Sequence, residues 1–349
     1  MGGAEHVVVN LADALAARGH YVKIAYLTGD ALVFPNNSNI EVVSIGMKGI
    51  KDFFKAYIKL RVLIKGFKPD VVHSHMIHAN LLSRLVRLTA KVPKLVCTAH
   101  SNNEGGKLRM LAYRLTDKLA NISTNVSEEA VKAFIKAGAV KPGRMVSVVN
   151  GINTNRLVFD ARVRDEKRIE LDIDNLQIIL AVGRLDKQKD YPNLLNSIAL
   201  LKGLRQDFKV FIVGDGPLKQ ELLTLTKSLK IDSFVEFLGI RRDIPALMAA
   251  SDIFALSSAY EGFGLVVAEA MACERIVVAT DCGGVAEVMG DNGFLVRPRS
   301  NNALVQALNR ALDLSDDERI QMGAAARQRI IQQFSLDANV EAFLKLYSA

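Results

Sequence analysis

Predicted strands and helices alternate along nearly the whole chain of 349 residues. In the first half, an apolar strand at Lys94–His100 precedes a helix, and Ser127 stands as the N-cap of the next helix, EEAVKAFIKAG. The second half repeats the alternation, beginning with QIILAVGRL and a helix near Tyr191–Leu204. This pattern is typical of parallel sheets covered by helices. We therefore predict the α/β class, with two doubly wound Rossmann-like domains, because the length suits two domains of ordinary size.

The domain boundaries follow from a break in this alternation. Residues 153–176 are polar, charged and aperiodic, so they predict a linker. We expect a first domain at 1–156, a linker at 157–176, a second domain at 177–330, and a helix at 331–349 that crosses back to the first domain. In two doubly wound domains that face a cleft, the ligand lies at the carboxyl ends of the strands.

The beginning of the chain departs from the usual pattern of a doubly wound domain. Gly2 and Gly3 stand directly before an amphipathic helix, His6–Gly19, where such a domain normally has a strand. We hypothesise that the first strand of the N-terminal domain is missing, and that the sequence starts late, at an internal methionine or an artificial boundary.

Positive charge is concentrated in the first half of the chain. Residues 1–150 hold 21 Lys and Arg against 10 Asp and Glu, whereas the remainder holds 24 against 27. Such asymmetry indicates an anionic partner, either nucleic acid or a membrane surface, although a lysine-rich solvated surface would give the same pattern. The segment 47–68 combines lysines with apolar residues at helical spacing. It is typical of a helix on an anionic membrane, and equally of a helix that packs its apolar side on a sheet.

The cysteines and the hydropathy pattern indicate where such a protein works. Cys97, Cys273 and Cys282 lie far apart, without metal-ligand spacing, which favours reduced thiols. No apolar run reaches the roughly 18 residues that a membrane span needs. The N-terminal residues also lack the pattern of a signal peptide. We therefore expect a soluble cytoplasmic protein.

The segment EGFGLVVAE carries the first candidate site residues. Glu261 lies in a loop after a predicted strand, Gly262 and Gly264 flank Phe263, and a helix begins at about Gly264. The free amides at the start of that helix, Leu265 included, would stabilise an anion such as a diphosphate. Glu269 follows two helical turns after Glu261, in an otherwise apolar helix, where a charge needs a partner. Each carboxylate could bind a pair of vicinal hydroxyl groups, although two acids at this spacing also occur by chance.

Glycine and basic residues follow other strands of the second domain. Gly183 and Arg184 end one strand, and Lys189 stands just before the next helix. A glycine that permits close approach, followed by Arg and Lys, suits a diphosphate held without metal. The further glycine-bearing strand ends are at Gly214 and Gly216, at Gly239, and at Gly283 and Gly284. Each loop alone fits an ordinary tight turn, but the basic pair beside the acidic pair favours a binding site.

Together, these motifs resemble glycosyltransferase family 4. The resemblance rests on Glu261-x7-Glu269, on Gly183-Arg184 followed by Lys189, on VGDGP and on the N-terminal GGAE, and it covers nearly the whole chain. It implies the GT-B fold and transfer of a sugar from a nucleotide diphosphate donor with retention at the anomeric carbon. It also implies no cofactor and no metal site, and we interpret the Asp172–Asp174 pair as part of a solvated turn.

The resemblance assigns a role to each candidate residue. Arg184 and Lys189 would bind the donor diphosphate, Glu269 the ribose, and Glu261 the sugar hydroxyls beside the amides of Phe263 and Gly264. His100 would reach the donor sugar from the first domain, and Gly2 and Gly3 would close over the diphosphate. The residues expected in catalysis are His100, Glu261, Arg184 and Lys189. The wider substrate-binding set adds Gly183, Gly214, Gly239, Gly262 and Leu265 to the residues already named.

Two positions depart from the family pattern, and three further histidines stand outside it. His6 and Asp190 replace the arginine after GGAE and the glycine after the lysine, and we treat both as subfamily variation. His73, His75 and His78 lie close in sequence, but no cysteine or carboxylate joins them as a further ligand. His75 could line the acceptor side of the cleft, and hydrogen-bonded histidines of the cleft wall are the plainer interpretation.

The acceptor and partners are inferred from charge and from the family. The basic first half favours a glycan or polyprenyl-diphosphate-linked glycan as acceptor, with peripheral attachment to the anionic inner membrane, as in O-antigen or capsule synthesis. UDP-sugars are the expected donors, with a hexose or N-acetylhexosamine transferred. One alternative is a GT-B enzyme that does not transfer, such as a nucleotide-sugar epimerase. The other is a basic nucleic-acid-binding protein, but recognised binding modules are lacking, so we expect no nucleic acid partner.

Overall fold

The computed structural model describes residues 3–102 and 104–348, apart from the side chain of Ile50. The chain divides into two compact units, which are residues 1–151 with 336–349 (unit 1) and residues 152–335 (unit 2). Each unit is built of parallel strands and covering helices, which confirms the predicted α/β class with two Rossmann-like domains. No helix among the described residues is long and apolar enough to cross a membrane.

Unit 1 contains two parallel sheets. Its strands are β1 (Lys23–Tyr26), β2 (Glu41–Ser44), β3 (Val71–His75), β4 (Lys94–Ala99), β5 (Ile122–Asn125) and β6 (Met145–Ser147). β1 pairs with β2, and the second sheet has the order β3-β4-β5-β6. The described residues begin in a helix, and no strand among them joins β1 to β3. Only the first part of the apolar segment 144–152 forms a strand, since Met145–Ser147 alone pair with β5.

Five helices of unit 1 lie in the first part of the chain. They are α1 (Gly3–Ala17), α2 (Phe53–Phe67), α3 (Ile77–Val86), α4 (Lys107–Thr116) and α5 (Glu128–Lys136), with short 3-10 turns at Ile50–Asp52 and Asp117–Leu119. The prediction of an N-cap at Ser127 is confirmed, because its side chain accepts a hydrogen bond from the amide of Ala130. Cys97 lies at the centre of the core that α2 and α3 form against β3 and β4.

Unit 2 is organised around one parallel sheet. Its strands are β7 (Gln177–Val182), β8 (Phe208–Val213), β9 (Val235–Gly239), β10 (Ile253–Leu256), β11 (Ile276–Thr280) and β12 (Phe294–Val296), in the order β12-β11-β10-β7-β8-β9. Every residue of β10 and β11 is buried. Full burial follows from helices on both faces, which explains why these strands are continuously apolar in sequence.

The helices of unit 2 include one within the stretch that was expected to be a linker. They are α6 (Ala161–Glu170), α7 (Tyr191–Lys202), α8 (Lys219–Ser228), α9 (Ile244–Ala250), α10 (Leu265–Ala272), α11 (Val285–Met289), α12 (Asn301–Leu312) and α13 (Asp316–Phe334). Ser315 forms a capping box with Glu318 at the start of α13, and Ser335 ends that helix. The last helix, α14 (Leu336–Ser348), packs on α1 within unit 1.

Helix α6 lies in the stretch expected to be an aperiodic linker. Asp160 caps it by accepting hydrogen bonds from the amides of Arg162 and Val163. The helix buries no residue and docks by charge, with Arg164 2.6 Å from a carboxylate oxygen of Asp252. Because a helix that docks through ion pairs shows no apolar stripe, hydrophobic periodicity could not reveal it.

Candidate active site

Five glycine-bearing loops of unit 2 meet at one edge of its sheet. Strands β11, β10, β7, β8 and β9 are parallel neighbours, so their carboxyl ends lie side by side. The glycines that follow or end these strands are Gly283, Gly262, Gly183, Gly214 and Gly239. The structure therefore brings together loops that are up to 100 residues apart in sequence.

Two of these glycines are required by close contacts between loops. A Cβ atom on Gly214 would lie 2.0 Å from the carbonyl oxygen of Gly183, and one on Gly283 would lie 1.8 Å from that of Glu261. Both residues also have positive φ, which favours glycine. The amide of Gly214 donates to the carbonyl of Gly239 at 2.8 Å. These glycines hold the loops against each other, which explains their presence without any ligand contact.

Lys189 and Glu261 form an ion pair at this edge. Lys189 Nζ lies 2.5 Å from Glu261 Oε1, and Ser258 Oγ donates to the same oxygen at 2.7 Å. Only 20% of the lysine side chain and 13% of the glutamate side chain are exposed. Gly183 makes room for this lysine, because a Cβ there would lie 3.0 Å from Lys189 Cε. A cation suited to phosphate and a carboxylate suited to hydroxyl groups are thus held in direct contact.

Two hydrogen bonds fix the loop that carries Lys189 to the loop that follows β10. The amide of Ala259 donates to the carbonyl of Gln188 at 2.8 Å, and Ser257 Oγ donates to the carbonyl of Lys189 at 2.9 Å. Arg184 begins the same loop but points outward, with 68% of its side chain exposed and Nε 3.8 Å from Asp186. The lysine is therefore preorganised, whereas the arginine is free to move toward a ligand.

The N-terminus of α10 lies beside the ion pair in sequence and lacks a side-chain cap. Gly264 stands at the N-cap with φ of 85°, so the N-cap residue offers no side-chain acceptor to the first amides, of which Leu265 is the first helical one. Uncapped amides and the helix dipole together favour an anion at this position. Phe263 is buried against Phe334, with ring centroids 5.7 Å apart, so only its backbone is available to a ligand.

Glu269 lies one turn into α10 and is half-buried. Within residues 3–102 and 104–348, no hydrogen bond or ion pair reaches its carboxylate, and none joins it to Glu261. Burial raises the pKa of Glu269 from its ordinary value of 4.5 to about 7, against a small opposing effect of Arg156. A buried carboxyl group whose desolvation is not compensated by a partner is a candidate for binding a polar ligand.

The candidate residues of unit 1 are His100 and Gly3, while Gly2 lies outside the described residues. Gly3 begins α1, and His100 directly follows β4. His100 Nε2 lies 3.0 Å from Nδ1 of His75, at the end of the neighbouring strand β3. Burial lowers the pKa of His100 to about 4 and also lowers that of His75. Both imidazoles are therefore neutral at pH 7.

Sequence reasoning missed several residues that support these groups. Ser258 donates a hydrogen bond to the Glu261 carboxylate. It precedes Glu261 by three residues and follows a strand, so the sequence pattern could have indicated it. Glu104 accepts a hydrogen bond from the amide of His100 at 3.2 Å, and burial raises the pKa of its carboxyl group. Tyr347 bonds to His73 at 2.7 Å across 274 positions of sequence, a pairing that no local pattern indicates.

Comparison with known proteins agrees with this architecture. Residues 1–156 match the family described as Glycosyltransferase Family 4, and residues 163–329 match Glycosyl transferases group 1. The chain is 28% identical to the N-acetylgalactosamine-N,N'-diacetylbacillosaminyl-diphospho-undecaprenol 4-alpha-N-acetylgalactosaminyltransferase of Campylobacter jejuni, over 89% of this chain and 87% of that protein. It is 28% identical to the UDP-Gal:alpha-D-GlcNAc-diphosphoundecaprenol alpha-1,3-galactosyltransferase of Escherichia coli, over 85% and 80%. A glycosyltransferase structure from Rickettsia africae matches with a TM-score of 0.87 at 23% identity, over 99% of this chain and 94% of that chain, which confirms the GT-B fold.

Proposed function

Since this chain belongs to the glycosyltransferases, with a family 4 domain followed by a group 1 domain, we propose that it transfers a hexose or N-acetylhexosamine from a UDP-sugar to a lipid-linked glycan, with retention at the anomeric carbon. The name of the E. coli relative includes UDP-Gal, and the names of both relatives include a diphospho-undecaprenol acceptor. These names support the donor and acceptor classes, within cell-surface polysaccharide synthesis.

The observation that carries the proposal is the ion pair between Lys189 and Glu261 beside the uncapped start of α10. In the proposed complex, the lysine Nζ and the first amides of α10 bind the diphosphate, and Arg184 moves in to join them. Glu261 accepts hydrogen bonds from the sugar hydroxyls, and Glu269 accepts them from the ribose. Gly183, Gly239 and Gly262 allow the donor to approach the sheet edge, and Gly214 keeps its loop in contact with the loop of Gly183.

The proposed reaction exchanges one C–O bond for another on the same face of the sugar. The bond from the anomeric carbon to the diphosphate oxygen breaks, and the acceptor oxygen forms the new bond. The acceptor proton passes to the departing phosphate oxygen. Lys189 and Arg184 stabilise the negative charge that grows on the diphosphate, which is where preorganised cations contribute most. Glu261 is already engaged by Lys189 and Ser258, so it is a poor nucleophile, and no covalent glycosyl-enzyme is required.

A surface of unit 1 supports peripheral binding to the inner membrane. Helix α2 buries Ala56, Leu60 and Ile64 in the core, while Phe54 and Val62 remain exposed. One face of the helix therefore packs in the core, and the exposed apolar residues on its other face support the membrane interpretation. Helix α4 repeats the arrangement with an exposed apolar strip at Leu108, Leu111 and Leu115, and α3 contacts both helices. The basic residues around the two strips are Lys51, Lys55, Lys59, Lys65, Lys107, Arg109, Arg114 and Lys118.

Vesicle sedimentation tests the membrane proposal. The protein should sediment with phosphatidylglycerol vesicles, and much less with phosphatidylcholine vesicles, because about 1 kcal/mol per basic residue comes from the anionic surface. Changing Lys55 and Lys59 to Glu should release it, whereas changing Lys209 and Lys219 of unit 2 should not. Equal binding of both variants would contradict docking through α2.

A donor screen tests the transfer proposal. The protein is incubated with single UDP- or GDP-sugars and a bacterial lipid extract, and products are identified by mass and by anomeric NMR couplings. We expect one donor to yield a lipid-linked product with the donor's own anomeric configuration, and Glu261→Gln to reduce the yield strongly. A free epimerised nucleotide sugar would instead identify the non-transferring alternative. An inverted anomeric centre would contradict the retaining mechanism.

A further inference from the structure

Three histidines of unit 1 form a contiguous group at the ends of β3 and β4. His73 is held at both ring nitrogens, since Nδ1 lies 2.7 Å from Tyr347 Oη and Nε2 lies 2.6 Å from Thr98 Oγ1. The ring of His75 packs on that of His73 at 4.0 Å between centroids. His75 Nδ1 then reaches His100 Nε2 at 3.0 Å. The orientation of His100 therefore depends on His75. The His75 ring packs on His73, which hydrogen bonds hold at both ring nitrogens.

The contact between His75 and His100 restricts where protons can lie. A hydrogen bond between two imidazoles needs one N–H group and one lone pair, so it contains a single proton. Burial keeps both rings uncharged, and His73 and Glu104 are the other titratable groups beside them. Each ring then has one N–H, and the tautomer of His75 determines the tautomer of His100.

Either His75 or His100 can be the donor in this hydrogen bond, and the chemistry of the ligand favours one of them. A nucleotide diphosphate sugar carries phosphate, ring and hydroxyl oxygens, so it offers more acceptors than donors. A histidine that serves such a ligand is most useful when it presents an N–H group. His100 can do so through Nδ1 only if its Nε2 is the acceptor in the bond with His75.

We propose that His75 is a positioning residue that donates its Nδ1–H to Nε2 of His100, and so holds His100 as the Nδ1–H tautomer, which can donate to an acceptor oxygen of a bound ligand. The inference rests on the proposed function for the identity of the ligand, but not for the tautomer. His75 does not contact the reacting atoms and acts only through His100. His73, with Tyr347 and Thr98, fixes the plane of the His75 ring.

Long-range ¹⁵N–¹H NMR of the labelled, full-length protein tests the tautomer directly. Wild-type His100 should show a protonated Nδ1 and an unprotonated Nε2. His75→Phe keeps a ring against His73 but cannot donate, so His100 should become a mixture of tautomers. Its pKa should stay well below the ordinary value of 6.5, because the phenylalanine ring preserves the burial that lowers it. His75→Asn places an amide near the original Nδ1 and should restore the single tautomer.

Kinetics separate this inference from the transfer proposal. If wild-type protein transfers sugar, His75→Phe should lower kcat about tenfold through misplacement of His100 and change KM little. His75→Asn should recover kcat. A protonated Nε2 on wild-type His100, or an unchanged His100 spectrum in His75→Phe, would overturn the positioning role. Absence of transfer by wild-type protein would overturn only the proposed function, because the spectra do not depend on turnover.

Discussion

Replacing Glu269 by glutamine should make the folded protein more stable above neutral pH while it impairs donor binding. The carboxyl group has no hydrogen bond or ion pair among the described residues, and burial raises its pKa from 4.5 to about 7. Ionised Glu269 is therefore unfavourable in the folded state. Glutamine keeps the size and shape of the side chain and removes the ionisation.

The magnitude follows from linkage between protonation and folding. Below pH 4.5 the carboxyl group is protonated in both states, so it does not affect the pH dependence. Between pH 4.5 and 7 the unfolded chain loses its proton first, so the unfolded state binds fewer protons and the free energy of unfolding falls as the pH rises. At about 1.4 kcal/mol per pH unit, with a discount for partial exposure, the penalty reaches about 2–3 kcal/mol above pH 7.

Urea unfolding at several pH values measures this effect. The stability of Glu269→Gln should exceed that of the wild type by about 2–3 kcal/mol at pH 8 and by almost nothing at pH 4.5. Glu166→Gln is the control, because Glu166 is exposed on α6, and it should differ by about 0.5 kcal/mol or less at any pH. Binding of UDP, followed by calorimetry, should weaken in Glu269→Gln alone. A difference that does not vary with pH, or a destabilised variant at pH 8, would refute the reasoning.

Three further substitutions, at Lys189, Gly283 and Ser258, test the sheet edge. Lys189→Met should destabilise the protein by about 2 kcal/mol in urea unfolding, because it leaves a mostly buried carboxylate unpaired. The double variant with Glu261→Gln should recover part of that loss. Additive effects of the two substitutions would contradict the pairing. The same lysine substitution should lower kcat/KM about 10²–10³-fold in the transfer assay. Gly283→Ala should cost about 3 kcal/mol by thermal unfolding, because its Cβ would meet the Glu261 carbonyl, whereas Gly66→Ala has open space and should be neutral or stabilising. Ser258→Ala should weaken UDP-sugar binding several-fold in calorimetry by releasing Glu261, and unchanged affinity would exclude that support.

Local patterns predicted much of the fold because the underlying forces act within a few residues. The N-cap at Ser127 and the helix at Tyr191–Lys202 agree with the sequence pattern, since caps and apolar periodicity are read from neighbouring residues. Helix α6 escaped prediction because its partner, Asp252, lies more than 80 residues away. An ion pair of that separation leaves no periodic trace in the chain.

The candidate site was likewise predictable from the sequence only in part. The motif around Glu261 and the loop with Lys189 were identified separately, since each has a recognisable local pattern of glycine and charge. Their direct contact, 72 positions apart, exists only because β7 and β10 are neighbours in the sheet. Family resemblance supplied the roles of these residues, but it gave no sign that His75 touches His100.

The sequence by itself determined the α/β alternation, the chain positions of the glycine-bearing loops and the residue types available for binding phosphate and hydroxyl groups. Only the tertiary structure decided which of those groups meet and which remain unpaired. Strand order brings Lys189 to Glu261, whereas burial leaves Glu269 without a partner and keeps the histidines neutral. The physical reason is that ion pairing and desolvation depend on distance and solvent exposure in space, and neither quantity is encoded in the spacing of residues along the chain.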